Sequence, residues 1–316
     1  MKLNKFAASF AALSVLGMGS AQADSFASAV LNVFNAKWIS QTTGLPLVNG
    51  VTGNILPGGQ NSALASATLN GSGPTPISST PLVLTGGQIP FDKICTGPDC
   101  TGTPPNPGPP GNILPNGKTY SYSSYELLGA FVDIPAAGIS AGATAHSTAQ
   151  VDLSGKIANP STGNSSSTVG TNTSFIITVA QTFVSHIEID YAVDLLANVV
   201  SPSGLSDNAK ASSSWSLIIR DVFTPSEIPL NFRPSDLNFD VAVTTGQPVL
   251  QWSKTATGLK SSDFTLDAGD TYSFTISSNV AADGARNFVP EPDSLALFGI
   301  GIAGVMVSAL RRRKAA

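Results

Sequence analysis

Four residues that could bind a cation alternate along one short stretch of the sequence. In SHIEIDYAVDLL, an extended strand places His186, Glu188, Asp190 and Asp194 on one face. Their oxygen donors would suit calcium better than zinc. The same alternation is typical of a polar strand face, where carboxylates also discourage edge pairing, and the spacing of an EF-hand loop is absent. We therefore predict no metal site and no cofactor, and keep this face as the candidate for calcium.

The residue types needed for hydrolysis are present, but no catalytic motif joins them. His146 lies in the small, polar stretch AGATAHSTAQ, and the sequence has no Gly-x-Ser-x-Gly nucleophile motif. Asp267 and Asp270 could act as paired carboxylates, yet they flank a predicted turn, where Asp is common for backbone reasons. We predict no catalytic residue and no enzyme. A secreted hydrolase whose site is assembled from distant residues is the second alternative function.

The two cysteines lie close together in ICTGPDCTG. Cys95 and Cys100 enclose Thr-Gly-Pro-Asp, a turn-forming sequence that could bring the thiols together. In an oxidising compartment we expect a disulfide, which would stabilise the fold by about 2 kcal/mol because the loop is short. A metal or redox pair is the alternative, but no histidine or further cysteine lies nearby in the sequence.

A cluster of exposed aromatic residues would indicate a sugar-binding module, because such modules stack aromatic rings on sugars. In YSYSSYELL, Tyr120 and Tyr122 share one strand face and Tyr125 lies on the other. Trp215 fits an inward position, whereas the position of Trp252 is open. Aromatics make up only 7% of the chain, and the sequence reveals no cluster of exposed rings. A carbohydrate-binding module is the first alternative function.

The composition excludes several classes of protein. The 316 residues include 30 Gly and 22 Pro, and only 11% are charged. Without the six basic and two acidic residues of the two ends, positions 24 to 288 contain 10 basic and 18 acidic residues. Such an acidic body without a basic patch argues against binding to nucleic acid or to anionic lipid.

Period-two alternation predicts an all-β body. Inward positions are expected at Ile187, Ile189, Tyr191 and Val193, at Trp215, Leu217 and Ile219, and at Tyr272, Phe274 and Ile276. DFTLDAGDTYSFTISS is interpreted as a hairpin with a tight turn. VLNVFNAKWI fits either a short helix or a strand with Val30, Phe34, Ala36 and Trp38 on one side. With long Gly/Pro/Ser-rich loops between the strands, the pattern predicts an antiparallel β-sandwich, jelly-roll-like in form.

The N-terminus has the three parts of a secretory signal peptide. Lys2 and Lys5 precede an apolar run, and the small residues Ala21 and Ala23 follow it. We predict a signal helix over 1–23, cleaved before Asp24, with the Sec machinery and signal peptidase as partners.

The C-terminus combines three features in a fixed order. Pro290, Glu291 and Pro292 precede an apolar run, 295–310, that would form a transmembrane helix ~24 Å long. The basic cluster Arg311, Arg312, Arg313 and Lys314 places the far end on the cytoplasmic side. An ordinary tail anchor would account for the helix and the charges. The full order closely resembles the PEP-CTERM sorting signal.

That resemblance implies a destination and a set of partners. In the PEP-CTERM family a membrane protease-transpeptidase, the exosortase, cuts near the motif and releases the protein towards the surface of Gram-negative-type bacteria. Such systems accompany exopolysaccharide and biofilm matrix, so exopolysaccharide is an expected partner. The body also resembles the β-rich proteins that carry this tail. By its composition, the Pro/Gly-rich segment 97–117 is either a semi-rigid linker or an insertion. The likeness implies one domain over 24–288 with this segment as an insertion, followed by the sorting segment 289–316.

Overall fold

The computed structural model describes residues 24–48, 53–69, 77–81, 89–100, 118–133, 135, 138, 140–154, 163–200 and 207–286. Fourteen strands occur in this part of the chain: Asp24–Ser40 (β1), Gly53–Leu69 (β2), Ile77–Pro81 (β3), Ile89–Thr96 (β4), Thr119–Leu128 (β5), Ala143–Leu153 (β6), Gly163–Val179 (β7), Phe183–Val200 (β8), Asn208–Asp221 (β9), Leu230–Phe232 (β10), Phe239–Thr244 (β11), Leu250–Lys260 (β12), Phe264–Leu266 (β13) and Thr271–Arg286 (β14). A 3₁₀ turn covers Ser235–Leu237. The all-β prediction is confirmed.

Several sequence predictions fall outside these ranges. The predicted signal helix, the transmembrane helix with its flanking motif and basic cluster, and residues 101–117 of the Pro/Gly-rich segment lie outside the described residues. Within the described ranges, no helix has both the length and the apolar character needed to cross a membrane.

The strands form two antiparallel sheets. The first has the order β12-β8-β1-β6-β5-β4, and the second has the order β10-β9-β14-β7-β2-β3. In each sheet one long strand has two short neighbours along the same side: β12 and β13 pair with β8, and β10 and β11 pair with β9. In both sheets, strands that precede the Pro/Gly-rich segment pair with strands that follow it: β1 with β6 and β8, β4 with β5, and β2 with β7.

Side chains from the two sheets meet in one hydrophobic core. The rings of Trp38 on β1 and Phe274 on β14 lie 4.6 Å apart between centroids, and Ser25 Oγ donates to the Asn208 carbonyl at 2.6 Å. All the inward positions predicted by alternation are buried: Ile187, Ile189, Tyr191, Val193, Trp215, Leu217, Ile219, Tyr272, Phe274 and Ile276. The period-two prediction is therefore confirmed for β8, β9 and β14.

A bulge at Asn35 reverses the alternation of β1. Asn35 has φ +53°, and the pairing of β1 with β8 jumps from Phe34 to Lys37. Before the bulge, the odd-numbered residues of β1 up to Val33 belong to the shared core. After the bulge, the even-numbered residues Ala36 and Trp38 belong to it. The prediction that Val30 and Phe34 share a face with Ala36 and Trp38 is wrong, because the bulge inserts an extra residue.

One carboxylate binds this bulge and a second bulge on the opposite side of β8. The second bulge lies in β12 at Gly258, where φ is +66° and the pairing jumps from Ala256 to Leu259. Asp190 on β8 accepts from Asn35 Nδ2 at 2.9 Å and from the Gly258 amide at 2.7 Å. Asp190 thus supplies acceptors to two neighbouring strands whose ladders are locally disrupted.

The predicted hairpin around Asp267 to Asp270 is also wrong. β13 pairs with β8 in the first sheet, whereas β14 pairs with β7 and β9 in the second, so the turn joins the two sheets. Two amides of this turn donate to groups at and just after the end of β7. The Gly269 amide donates to the Val179 carbonyl at 2.9 Å, and the Ala268 amide donates to Thr182 Oγ1 at 3.0 Å. Alternation and turn residues identify the strands but not their pairing partners.

Replacing Asp190 by Ala should destabilise the fold by about 1–2 kcal/mol, because two partly solvated hydrogen bonds to the bulges are lost. Urea unfolding followed by tryptophan fluorescence measures the loss. Glu188→Gln is the matched control on the same strand face, since Glu188 pairs with the exposed Lys260 at 3.4 Å and such pairs contribute less than about 1 kcal/mol. Equal losses in the two variants would contradict the assigned role of Asp190.

Candidate functional site

The four residues of the candidate calcium face lie together on β8, but other groups bind its carboxylates. Asp190 binds the two bulges, Glu188 pairs with Lys260, and Asp194 Oδ1 accepts from Gln251 Nε2 at 3.5 Å. Within the described ranges, no group of three or more His, Cys, Asp or Glu side chains is arranged to hold a metal ion. The arrangement therefore serves strand register and charge pairing.

The two histidines are bonded to amide and hydroxyl side chains. Gln41 Nε2 lies 3.1 Å from Nδ1 of the buried His186. His146 contacts Asn32 Oδ1 through Nδ1 and Thr148 Oγ1 through Nε2, the latter at 3.1 Å. Burial lowers the pKa of His146, so this ring is neutral at pH 7.

Cys95 and Cys100 form a disulfide, with their Cα atoms 5.7 Å apart. The turn between them needs Gly97, whose φ is +131°, since an added Cβ would lie 2.6 Å from the Thr119 carbonyl oxygen. Asp99 Oδ2 accepts from the Thr119 amide at 2.6 Å. The disulfide loop is thus bound to the start of β5 and holds the chain where the Pro/Gly-rich segment begins.

Phe239, a partly exposed aromatic residue beside a polar cavity, was not among the residues identified from the sequence. Tyr120, Tyr122 and Tyr125 are all buried, so they offer no ring surface for stacking. Phe239, at the start of β11, is 40% exposed and stacks on Trp252 with centroids 4.4 Å apart. Lys254 Nζ lies 5.7 Å from the centre of the Trp252 ring. One ring face of Phe239 is therefore covered by Trp252.

A polar cavity of about 240 Å³ lies beside Phe239, which we call the edge pocket. It opens on the outer face of the second sheet, where the chain leaves β10 and returns as β11. Its lining residues are Lys210, Ser212, Ser213, Ser214, Arg233, Asn238, Phe239, Asp240 and Asn279. The pocket combines two cations, one carboxylate, several hydroxyl and amide groups and one aromatic ring.

The side chain of Asn238 builds this pocket by replacing a missing strand. On the side of β9 opposite β14, neither β10 nor β11 pairs with Trp215. Asn238 supplies both partners there: Oδ1 accepts from the Trp215 amide at 3.2 Å and Nδ2 donates to its carbonyl at 2.9 Å. Asn238 Oδ1 also accepts from Arg233 Nε at 3.2 Å. Pro234 lacks an amide proton and marks the strand break in the sequence.

A second set of polar contacts links β8, the 3₁₀ turn and β12. Tyr191 Oη donates to Asp236 Oδ2 at 2.7 Å, and Lys254 Nζ lies 2.8 Å from the same oxygen. Hydrogen bonds from Lys254 and Tyr191 lower the pKa of Asp236. Burial, together with the bond to Asp236, raises the pKa of Tyr191 to about 12.

The described body defines an all-β protein with two antiparallel sheets and an oxidised cysteine pair. Residues 288–314 match the family model of the PEP-CTERM protein-sorting motif. No curated protein and no solved structure matches the chain. The chain therefore carries a PEP-CTERM motif, which makes it an exported, exosortase-sorted surface protein.

The disulfide should persist in the protein recovered from its host. Reduction should raise the mass of the peptide that contains Cys95 and Cys100 by about 2 Da, because two hydrogens are added. Mass spectrometry with and without reductant, on samples alkylated at collection, measures the difference. Alkylated thiols in the unreduced sample would contradict this expectation.

Alkaline pH should reveal the bond between Tyr191 and Asp236. The folded-state pKa of about 12 exceeds the unfolded value of about 10, so this contribution is complete below pH 10 and is lost as the pH rises towards 12. Tyr191→Phe should therefore show a shallower fall of unfolding free energy over this interval. An unchanged slope in urea titrations would contradict the assignment.

Proposed function

We propose that this protein is a non-enzymatic structural component of the cell surface or extracellular matrix, associated with exopolysaccharide and biofilm. The observation that carries this proposal is the sorting motif at residues 288–314. The proposed body is one β-sandwich domain over 24–288, jelly-roll-like in form, with segment 97–117 as an insertion. The signal peptide over 1–23 delivers it through the Sec machinery and is removed between Ala23 and Asp24.

The tail has three roles in this proposal. The helix over 295–310 anchors the protein in the inner membrane for a time, and Arg311 to Lys314 hold its end on the cytoplasmic side. Pro290 and Pro292 keep the chain extended where the helix emerges, because proline cannot continue a helix upstream. Glu291 is then accessible to the exosortase, which cuts near the motif and releases the body to the surface.

A structural role is supported by how the reactive side chains of the body are used. His186, His146 and Asp190 are bonded to amide, hydroxyl and backbone groups that fix neighbouring strands. The disulfide joins a turn to a strand. These contacts favour a scaffold over the alternative of a secreted hydrolase.

The sorting role is tested by replacing Pro290, Glu291 and Pro292 together with Ala. The apolar helix and the basic cluster are intact in this variant, so it should insert normally, remain uncut and accumulate in the inner membrane. Fractionation and immunoblotting of the exosortase-containing host measure the shift in size and location. The wild-type protein in a host that lacks the exosortase should show the same accumulation.

The basic cluster provides a second arm for this experiment. Replacing Arg311, Arg312 and Arg313 with Gln should weaken retention or orientation without removing the cleavage motif. A plain tail anchor predicts that the triple Ala variant behaves like the wild type in both hosts. That outcome would contradict exosortase sorting.

A further inference from the structure

We propose that the edge pocket binds a single carboxylate-bearing sugar unit, a hexuronate, within an acidic polysaccharide. This inference rests on the proposed function only in that export brings the protein to exopolysaccharide. The pocket itself is defined by its own residues, and its volume of about 240 Å³ suits one sugar ring better than a longer oligosaccharide. The remainder of the polymer would extend across the outer sheet face.

Arg233 supplies the carboxylate-binding group. Its Nε donates to Asn238 Oδ1 at 3.2 Å, whereas its two Nη groups have no hydrogen-bond partner among the described residues. Asn238 is itself fixed by Trp215 and by the Pro234 carbonyl, to which Nδ2 donates at 2.7 Å. A guanidinium held in this way offers two parallel donors, which match the geometry of a carboxylate.

Lys210 and Asp240 supply a donor and an acceptor for ring hydroxyls. Lys210 Nζ lies 3.8 Å from Asp240 Oδ2, and both side chains are more than half exposed, at 51% and 64%. Such a solvated pair holds its partners weakly, so either group can exchange its partner for a ligand hydroxyl. Ser212, Ser214 and Asn279 extend this set of polar groups across β9 and β14.

Phe239 supplies the apolar surface that sugar recognition needs. Trp252 covers one face of its ring and holds it in place, while 40% of the residue remains exposed. The C–H face of a sugar can pack against such a fixed ring, and little side-chain entropy is lost on binding. An inorganic anion would use the cations and leave Phe239 unused.

The two cations of the pocket, Lys210 and Arg233, lie in a body that is acidic overall. Positions 24 to 288 contain 10 basic and 18 acidic residues, so long-range attraction does not draw acidic polymers to the protein. Binding must then depend on short contacts at the pocket. We therefore expect selectivity for the sugar carboxylate over polyanions in general, and a preference over neutral sugars.

The test uses the full chain purified in mild detergent and titrated calorimetrically with trigalacturonate, triglucuronate and trimannuronate. Maltotriose is the neutral analogue, and triglutamate is the anion without a sugar ring. At least one oligouronate should bind saturably, and Arg233→Gln should weaken this binding about tenfold or more, the usual loss for a hydrogen bond to a charged group. Phe239→Leu should weaken it by a smaller factor.

Arg220→Gln is the matched control, because Arg220 lies on the same face of β9 as Lys210 and does not line the pocket. It should leave oligouronate binding unchanged, and circular dichroism should show that all three variants are folded. The proposal is overturned by any of three results: no saturable binding of an oligouronate, equal losses in the Arg233 and Arg220 variants, or equal binding of maltotriose or triglutamate. Since sorting is measured separately by fractionation, a failure of oligouronate binding is distinguishable from a failure of sorting.

Discussion

The carboxylate of Asp190 accepts hydrogen bonds from two bulges of the first sheet. This group binds a bulge in β1 on one side of β8 and a bulge in β12 on the other. Because the bulge at Asn35 reverses the alternation of β1, it determines that Trp38 points into the core and meets Phe274 of the opposite sheet. The polar contact at Asn35 therefore lies at the point where the face of β1 that belongs to the apolar interior changes.

Much of the β architecture could be predicted from local sequence pattern. Strict alternation gave the buried faces of β8, β9 and β14 correctly, since each of these strands has one face in the core. The pattern fails where a strand gains a residue, as at Asn35, because the period is then interrupted. It also fails at Asp267 to Asp270, where a tight turn joins two sheets, since pairing depends on distant strands.

The edge pocket was harder to find for a related reason. Its residues come from β9, from the chain around β10 and β11, and from β14, and no short motif joins them. The stretch NFRPSDLNFD contained one usable signal, a proline inside an otherwise strand-like run, which indicates an interrupted edge strand. What the sequence could not reveal is that Asn238 replaces the missing strand and fixes Arg233 at the same time.

The interrupted strands at the sheet borders also bear on solubility at high local concentration. β12 carries a bulge, β4 has an irregular register between Ile89 and Asp92, β10 and β11 are short, and β3 ends in Pro81. Within the described residues, these border strands are therefore short or have an interrupted ladder. Short and interrupted border strands of this kind limit strand-to-strand pairing between neighbouring copies of the protein.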